Sequence, residues 1–165
     1  LLDEILSYSA GRVRIESDSE RRYYPSAGGR YPIELYFVSN NVDSLEPGLY
    51  HYSAKDNSLE VLWHKDLSTD CARIFGADFD STVVNYVVLT GVMSRAEVKY
   101  GINAYRFALI ECGHLCQNIC LLATERDVSH CPIGGFDNRY LEQLLDTGED
   151  EVPLYAMAIG SRTSM

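Results

Sequence analysis

The sequence is poor in positive charge: 14 lysines and arginines stand against 24 aspartates and glutamates, a formal net charge of −10. Proteins that grip a phosphate backbone cluster Lys and Arg to release its counterions, so a nucleic-acid partner is not expected. A basic n-region followed by an apolar h-region is missing at Leu1, so no signal peptide is visible and the stretch reads as a domain or fragment. A cysteine framework is missing too. Cys71, Cys112, Cys116, Cys120 and Cys131 are odd in number and match no disulfide spacing, which fits reduced thiols and a cytoplasmic location. No Gly-x-Gly-x-x-Gly follows a strand and no Gly-Lys-Ser/Thr loop occurs, so neither a Rossmann domain nor a P-loop is supported. A Gly-x-Ser-x-Gly elbow and a zinc signature are likewise missing. Cys112, Cys116 and Cys120 recur at every fourth position, but one helix face is too narrow for four tetrahedral ligands. These thiols therefore read as small packing groups, and no metal is expected.

What is present suffices for one domain over 1–165: the chain has 165 residues, 46% of them hydrophobic. Its organising stretch runs from Lys99 to Glu125 and is almost wholly helix-compatible. Gly101 breaks the run and Asn103 is a good N-cap, so a long central helix is predicted to start near Ala104. To Glu125 it would span ~33 Å at 1.5 Å per residue. Asn103, Arg106, Glu111, His114, Gln117 and Asn118 share an arc of about 140°, with apolar side chains over most of the rest. This is the pattern of a buried helix carrying one polar stripe, which a ligand, a partner subunit or another polar face must meet. Five strongly polar or charged side chains between Arg106 and Asn118 argue against a membrane span.

Before this helix, Leu1, Leu2, Ile5 and Leu6 predict a short amphipathic helix ended by Gly11. Arg12 to Pro32 reads as a long loop, and loops of ~20 residues are uncommon unless they carry function. Glycines at 28 and 29 let backbone amides approach a ligand. Strands are predicted at Ile33–Val38, Leu49–Tyr52 and Leu59–Trp63, joined by turns too short for anything but antiparallel pairing. Asp66–Phe75 is weakly helical, and Val83–Met93 reads as a central strand covered on both faces. After the long helix come a short extended piece to Ile133, a Gly134-Gly135 turn, a helix over Asn138–Leu145 and a strand over Leu154–Ile159. Without a regular βαβ alternation the class is α+β. His51, His64 and His130 have no ligand-like spacing and read as structural or solvent-facing. His114 shares the polar stripe, where a satisfied structural role is the commoner one.

Four motifs then combine. PSAGGRYPIELY (Pro25 to Tyr36), KYG…AYRFALIECGHLCQN (Lys99 to Asn118), PIGGFD (Pro132 to Asp137) and PLYAMAIG (Pro153 to Gly160) stand in an order and spacing that resembles the nitroreductase-like flavoproteins, most closely the SagB-type azoline dehydrogenases. The resemblance covers nearly the whole chain. It implies a mostly antiparallel sheet flanked by helices and a homodimer with FMN at the subunit interface. It also implies a domain without the family's N-terminal arginine-bearing segment before Leu1. Pro25, Ser26, Ala27 and Gly28 would line the flavin, with Gln117 and Asn118 among its contacts. Gly134 and Gly135 would offer amides near the ring, and Arg162 would approach the phosphate. Lys99 and Tyr100 match the pair tied to azoline oxidation. That reaction removes a proton from one ring carbon and a hydride from the next, so it needs a base beside an electron acceptor. A lysine whose pKa is lowered by burial could serve, with Tyr100 orienting the ring or relaying the proton. The substrate would be a peptide or carrier-bound heterocycle. An NAD(P)H-fed nitro or quinone reductase, or a flavin-free scaffold subunit, remain the alternatives.

Overall fold

The structure is a computed structural model and describes residues 1–13, 21–76 and 84–160. Residues 14–20 of the predicted loop, Val83 at the start of the predicted central strand, and Ser161 and Arg162 lie outside the described residues. The chain opens with α1 (Leu2–Ala10), which buries Ile5 and Leu6 as their spacing predicts and ends where Gly11 N–H donates to Ser7 O at 3.0 Å. Next come β1 (Ile33–Ser39), β2 (Gly48–Ser53) and β3 (Ser58–His64), the expected antiparallel meander. Helix α2 (Ser68–Phe75) leads toward β4 (Asn85–Val92), which pairs antiparallel with β1. After α3 (Ser94–Tyr100) and α4 (Ala104–Glu125) come β5 (Ser129–Ile133), α5 (Asn138–Leu145) and β6 (Glu151–Gly160). Every pairing in the six-stranded sheet is antiparallel, and the strand order is β3-β2-β1-β4-β6-β5.

Side chains alternate across a strand, and here both faces are covered. Leu35, Phe37, Val87, Leu89, Met157 and Ile159 point into one core with α1 and α4, where Cys112 and Cys116 serve as small apolar packing groups. Tyr36, Val38, Tyr86, Val88, Ala156 and Ala158 point into a second core with α2 and α5. Helix α5 starts on a side-chain cap, Asp137 accepting from Tyr140 N–H at 3.1 Å. At the meander edge β3 is open, with Val61 and Trp63 about half exposed.

Three expectations change. First, the stretch before the long helix is a helix of its own, α3, whose start is held from outside by Asp150. One of its carboxylate oxygens accepts Ser94 N–H at 2.8 Å and the other the Ser94 hydroxyl at 2.5 Å. Second, Asn103 stands at the N-cap position of α4 but its side chain caps nothing, because the 3₁₀ turn over Gly101–Asn103 continues directly into the helix. Gly101, at φ +49°, supplies the reversal between α3 and α4. Third, α4 is buried on one face only. Ala104, Ala108, Glu111, Cys112, Leu115, Cys116, Ile119 and Ala123 pack inward, while Tyr105, Leu109, Ile110 and Leu121 face outward with Arg106, His114 and Gln117. The polar stripe therefore divides, and in the single chain only Glu111 is buried. By length and composition the Ser94–Glu125 helical run would also qualify to cross a bilayer; its inner face is instead taken up by α1 and the sheet.

Candidate functional site

The pairing of β1 with β4 sets the site. Ile33 lies opposite Gly91, so the loop entering β1 and the helix leaving β4 emerge at the same end of the sheet. Val92 N–H donates to Pro32 O at 2.9 Å and fastens the two exits together. The loop folds on itself: Ser26 Oγ accepts Tyr31 N–H at 2.8 Å, and a single tight turn forms over Ala27–Gly29. Gly28 and Gly29 take φ of +59° and +65°, a conformation that costs a side-chain-bearing residue about 1 kcal/mol or more.

This turn rests against the end of α3. A Cβ placed on Gly28 would stand 2.5 Å from Tyr100 Oη and 2.7 Å from Lys99 Nζ. Lys99 Nζ lies 5.5 Å from the centre of the Tyr100 ring, which meets Phe107 edge-on at 4.8 Å. Lys99 is exposed in the single chain, so the burial expected of it is not provided by these residues alone. Pro25 and Gly28 are exposed, and Ser26 and Ala27 half-buried. Asn118 donates from Nδ2 to Tyr23 O at 3.1 Å, tying the middle of α4 to the loop, while Gln117 faces solvent. Gly134 and Gly135 follow β5 at the other edge of the sheet. A Cβ at Gly134 would meet only the Tyr155 ring, at 3.9 Å, and one at Gly135 nothing within 4 Å. The single chain thus brings Gly28 to Lys99 and Tyr100 and ties Asn118 to the start of the loop, while Gly134 and Gly135 follow the outer strand β5, two strands from β4. Arg162 lies outside the described residues.

Several polar residues that complete the site went unread in the sequence. Arg95 of α3 pairs with Glu34 of β1, and Glu34 also meets His51 Nε2 at 2.9 Å. Arg95 donates to Tyr31 O at 3.3 Å, and Arg30 Nε donates to Arg95 O at 2.7 Å. Burial pushes the Glu34 carboxyl up, but the bond to His51 and the Arg95 charge outweigh it and hold its pKa below the usual value. The hydrogen bond to Glu34 raises the pKa of His51. A lone Glu between Ile33 and Leu35 in a strand buried on both faces was the available signal. Behind the loop, Arg22 lies over the Tyr31 ring, 4.8 Å from its centre, and donates to Tyr24 Oη at 3.1 Å.

A family model described as the nitroreductase family matches residues 1–161. The chain belongs to the nitroreductase family. The nitroreductase-like protein MJ1384 of Methanocaldococcus jannaschii is 26% identical over 139 residues, 84% of this chain and 69% of that protein. The microcin B17-processing protein McbC of Escherichia coli is 28% identical over 149 residues, 86% of this chain but 55% of McbC. A nitroreductase-family structure from Anabaena variabilis superposes with a TM-score of 0.87 at 30% identity, over 96% of this chain and 34% of that one. The Escherichia coli microcin synthetase McbBCD complex, solved with truncated pro-MccB17 bound, superposes with a TM-score of 0.83 at 23% identity, which speaks for the fold. That match takes in 97% of this chain and 62% of that one. This nitroreductase fold is α+β, with a six-stranded antiparallel sheet and a long central helix.

Proposed function

We propose that the chain is an FMN-dependent oxidoreductase of the azoline-dehydrogenating, SagB-like type, working as a cytoplasmic homodimer on peptide or carrier-bound thiazolines and oxazolines. The observation that carries this reading is the meeting of Lys99 and Tyr100 with Gly28 of the glycine turn. Nitroreductase-family proteins typically bind flavin, and the residues present fit such a group. A Cβ at Gly28 would displace the tips of Tyr100 and Lys99, and the turn leaves backbone exposed beside a hydroxyl and an amine. Pro25, Ser26, Ala27 and Gly28 would hold the flavin, with Asn118 and Gln117 close by on α4. The outward apolar residues of α4 support a second copy as the partner that brings Gly134 and Gly135 to the same flavin.

The chemistry divides accordingly. FMN held by the Pro25–Gly28 turn would supply the acceptor for the hydride that leaves one ring carbon of the azoline. Lys99 Nζ receives the proton released from the neighbouring carbon, so the ring loses two hydrogens and gains a double bond. Tyr100 Oη, beside that amine, orients the ring nitrogen. Arg95 holds α3 against β1 and keeps both groups at the turn. McbC, a protein that processes microcin B17, supports a peptide substrate by its name and by the pro-peptide in its complex.

The test is a visible spectrum of purified, FMN-reconstituted protein, followed by incubation with a thiazoline-bearing peptide. A flavin spectrum and a mass loss of two hydrogens are expected. Rapid bleaching by NADPH with no change in the peptide would favour nitro or quinone reduction instead, and a colourless protein would favour a scaffold.

A further inference from the structure

Beneath the glycine turn lies Glu111, in the middle of α4 and 1% exposed. Among the described residues it is the one buried side chain that carries a charge. Neither of its oxygens has a hydrogen-bond partner at full geometry. A buried carboxyl left in that state is costly, because it gives up water and receives nothing in return. The donors close enough to act on it are the Ser26 hydroxyl and the Ile33 N–H, one at each end of the loop that carries Gly28. Ser26 Oγ already accepts from Tyr31 N–H, so the hydroxyl proton remains to be given.

We propose that Glu111 is a positioning residue for the flavin loop: its carboxylate receives the Ser26 hydroxyl and seats the Pro25–Gly29 turn on α4. The consequence for flavin rests on the function proposed above, whereas the contact itself is a property of the protein alone. Seating Ser26 fixes Gly28, and Gly28 touches both Lys99 and Tyr100. One carboxylate thereby supports the ligand side and the reactive side of the turn together.

Among the described residues, the charged and titratable groups bearing on Glu111 are Arg22 and Tyr24 ahead of the loop and Cys112 on its own helix. Glu34 of β1 acts on Tyr24 from the sheet. Burial pushes the Glu111 pKa up to about 7, against the Ser26 bond, the Arg22 charge and the Ile33 N–H, which lower it. Both protonation states are therefore populated near neutrality. A charged acceptor makes roughly twice the bond of a neutral one, so the turn is held more tightly at pH 8 than at pH 6.

Amide hydrogen exchange at Gly29 and Arg30, whose N–H groups donate to Ser26 O and Ala27 O across the turn, tests this in flavin-free protein, corrected for intrinsic rates at pH 6 and 8. Wild type is compared with Glu111→Gln, Glu111→Leu, Ser26→Ala and the Glu111→Leu/Ser26→Ala double variant. Glu111→Leu should speed exchange about tenfold at pH 8, the worth of one hydrogen bond; Ser26→Ala, which also loses the bond from Tyr31 N–H, should speed it more, and the double variant no further than Ser26→Ala. Wild type should lose protection between pH 8 and 6. Glu111→Gln, which keeps an acceptor and has no proton to gain, should show equal protection at both. Wild-type exchange rates in Glu111→Leu, or additive effects in the double variant, would overturn the proposal. FMN affinity, read as the wild-type to Glu111→Gln ratio at each pH so that phosphate titration cancels, should follow the same order. If FMN binds none of these proteins, the flavin reading falls and the exchange data still decide the contact.

Discussion

Tyr100 and Gly28 are so close that the tyrosine hydroxyl would lie 2.5 Å from a β-carbon on the glycine. Gly28→Ala should therefore act on the site more than on the fold. The atoms in the way, Tyr100 Oη and Lys99 Nζ, are the free ends of flexible side chains, so they can swing aside. The remaining cost is a left-handed alanine, about 1 kcal/mol. For a domain of this size that lowers Tm by a few degrees. Thiazoline turnover should fall by at least tenfold at matched flavin content, measured by loss of two hydrogens. Unchanged turnover would mean that the turn does not place the pair.

Lys99→Ala should leave folding and the flavin spectrum intact and abolish proton removal. Loss of a general base typically costs ~10²- to 10⁴-fold. Lys99→Arg should fail to restore turnover, because guanidinium stays protonated. Dithionite reduction of the flavin should be unaffected in both. If Lys99→Ala kept more than about a tenth of the rate, the base would have to be sought elsewhere.

Glu34 links α3 to the sheet through Arg95 and His51. Glu34→Gln should cost about 1 to 2 kcal/mol, the value of charged hydrogen bonds reduced because Arg95 is partly solvated. Its pH dependence has a defined sign. The folded pKa of His51 is raised, so the stability it contributes is complete below its unfolded value of about 6.5 and is lost as pH rises through the folded value. The wild-type minus Glu34→Gln difference in denaturation midpoint should thus be larger at pH 5.5 than at pH 8.5. An equal difference at both would detach His51 from the pair.

For Glu111 global unfolding, which returns the carboxyl to water, follows the opposite pH trend from local opening of the turn, which breaks the Ser26 bond and leaves the carboxyl buried. Its folded pKa is raised from 4.5 to about 7, so stability is complete below the unfolded pKa and is lost as pH rises through the folded one. At ~1.4 kcal/mol per unit the loss is roughly 3 kcal/mol by pH 8. Glu111→Gln should accordingly be more stable than wild type at pH 8, with the gap closing toward pH 5. Thermal melts across that range check it, and a parallel pair of curves would contradict it.

Leu109 and Ile110 face outward from α4, 44% and 51% exposed. If this face meets a second copy, Ile110→Glu should shift the protein from dimer to monomer by sedimentation at micromolar concentration and release FMN with it. Obligate interfaces of this kind usually exceed ~2,000 Å², so a charge at the centre would be poorly tolerated. A dimer that survives the change would move the interface elsewhere.

The strands were legible because β-branched and aromatic residues at Ile33–Val38 and Leu154–Ile159 alternate between two buried faces, a local signal. The long helix was legible from its composition. Helix α3 was not, since Ser94–Tyr100 buries only Ala96 and its start is set by Asp150, which arrives from much later in the chain. Arg95, Glu34 and the partner of His51 went unread for the same reason: their meeting exists only once β1 pairs with β4 and β2. Of the site residues, the Gly28 turn and the Lys99-Tyr100 pair could be taken from motifs, but their contact could not. Nor did pattern show that Gly134 and Gly135 would follow the outer strand β5, two strands over from β4.

The placement of β6 between β4 and β5 has a kinetic meaning. The β1-β2-β3 meander can close as soon as it leaves the ribosome, but β4 must hold an unpaired edge through synthesis of two helices, the fifth strand and a further helix. Val87, Val88 and Leu89 on that waiting strand are all buried in the finished fold. This distant pairing carries a larger loop-closure cost than the hairpins of the meander. Until residue 160 is released, the nascent chain exposes a sticky strand for chaperones to shield.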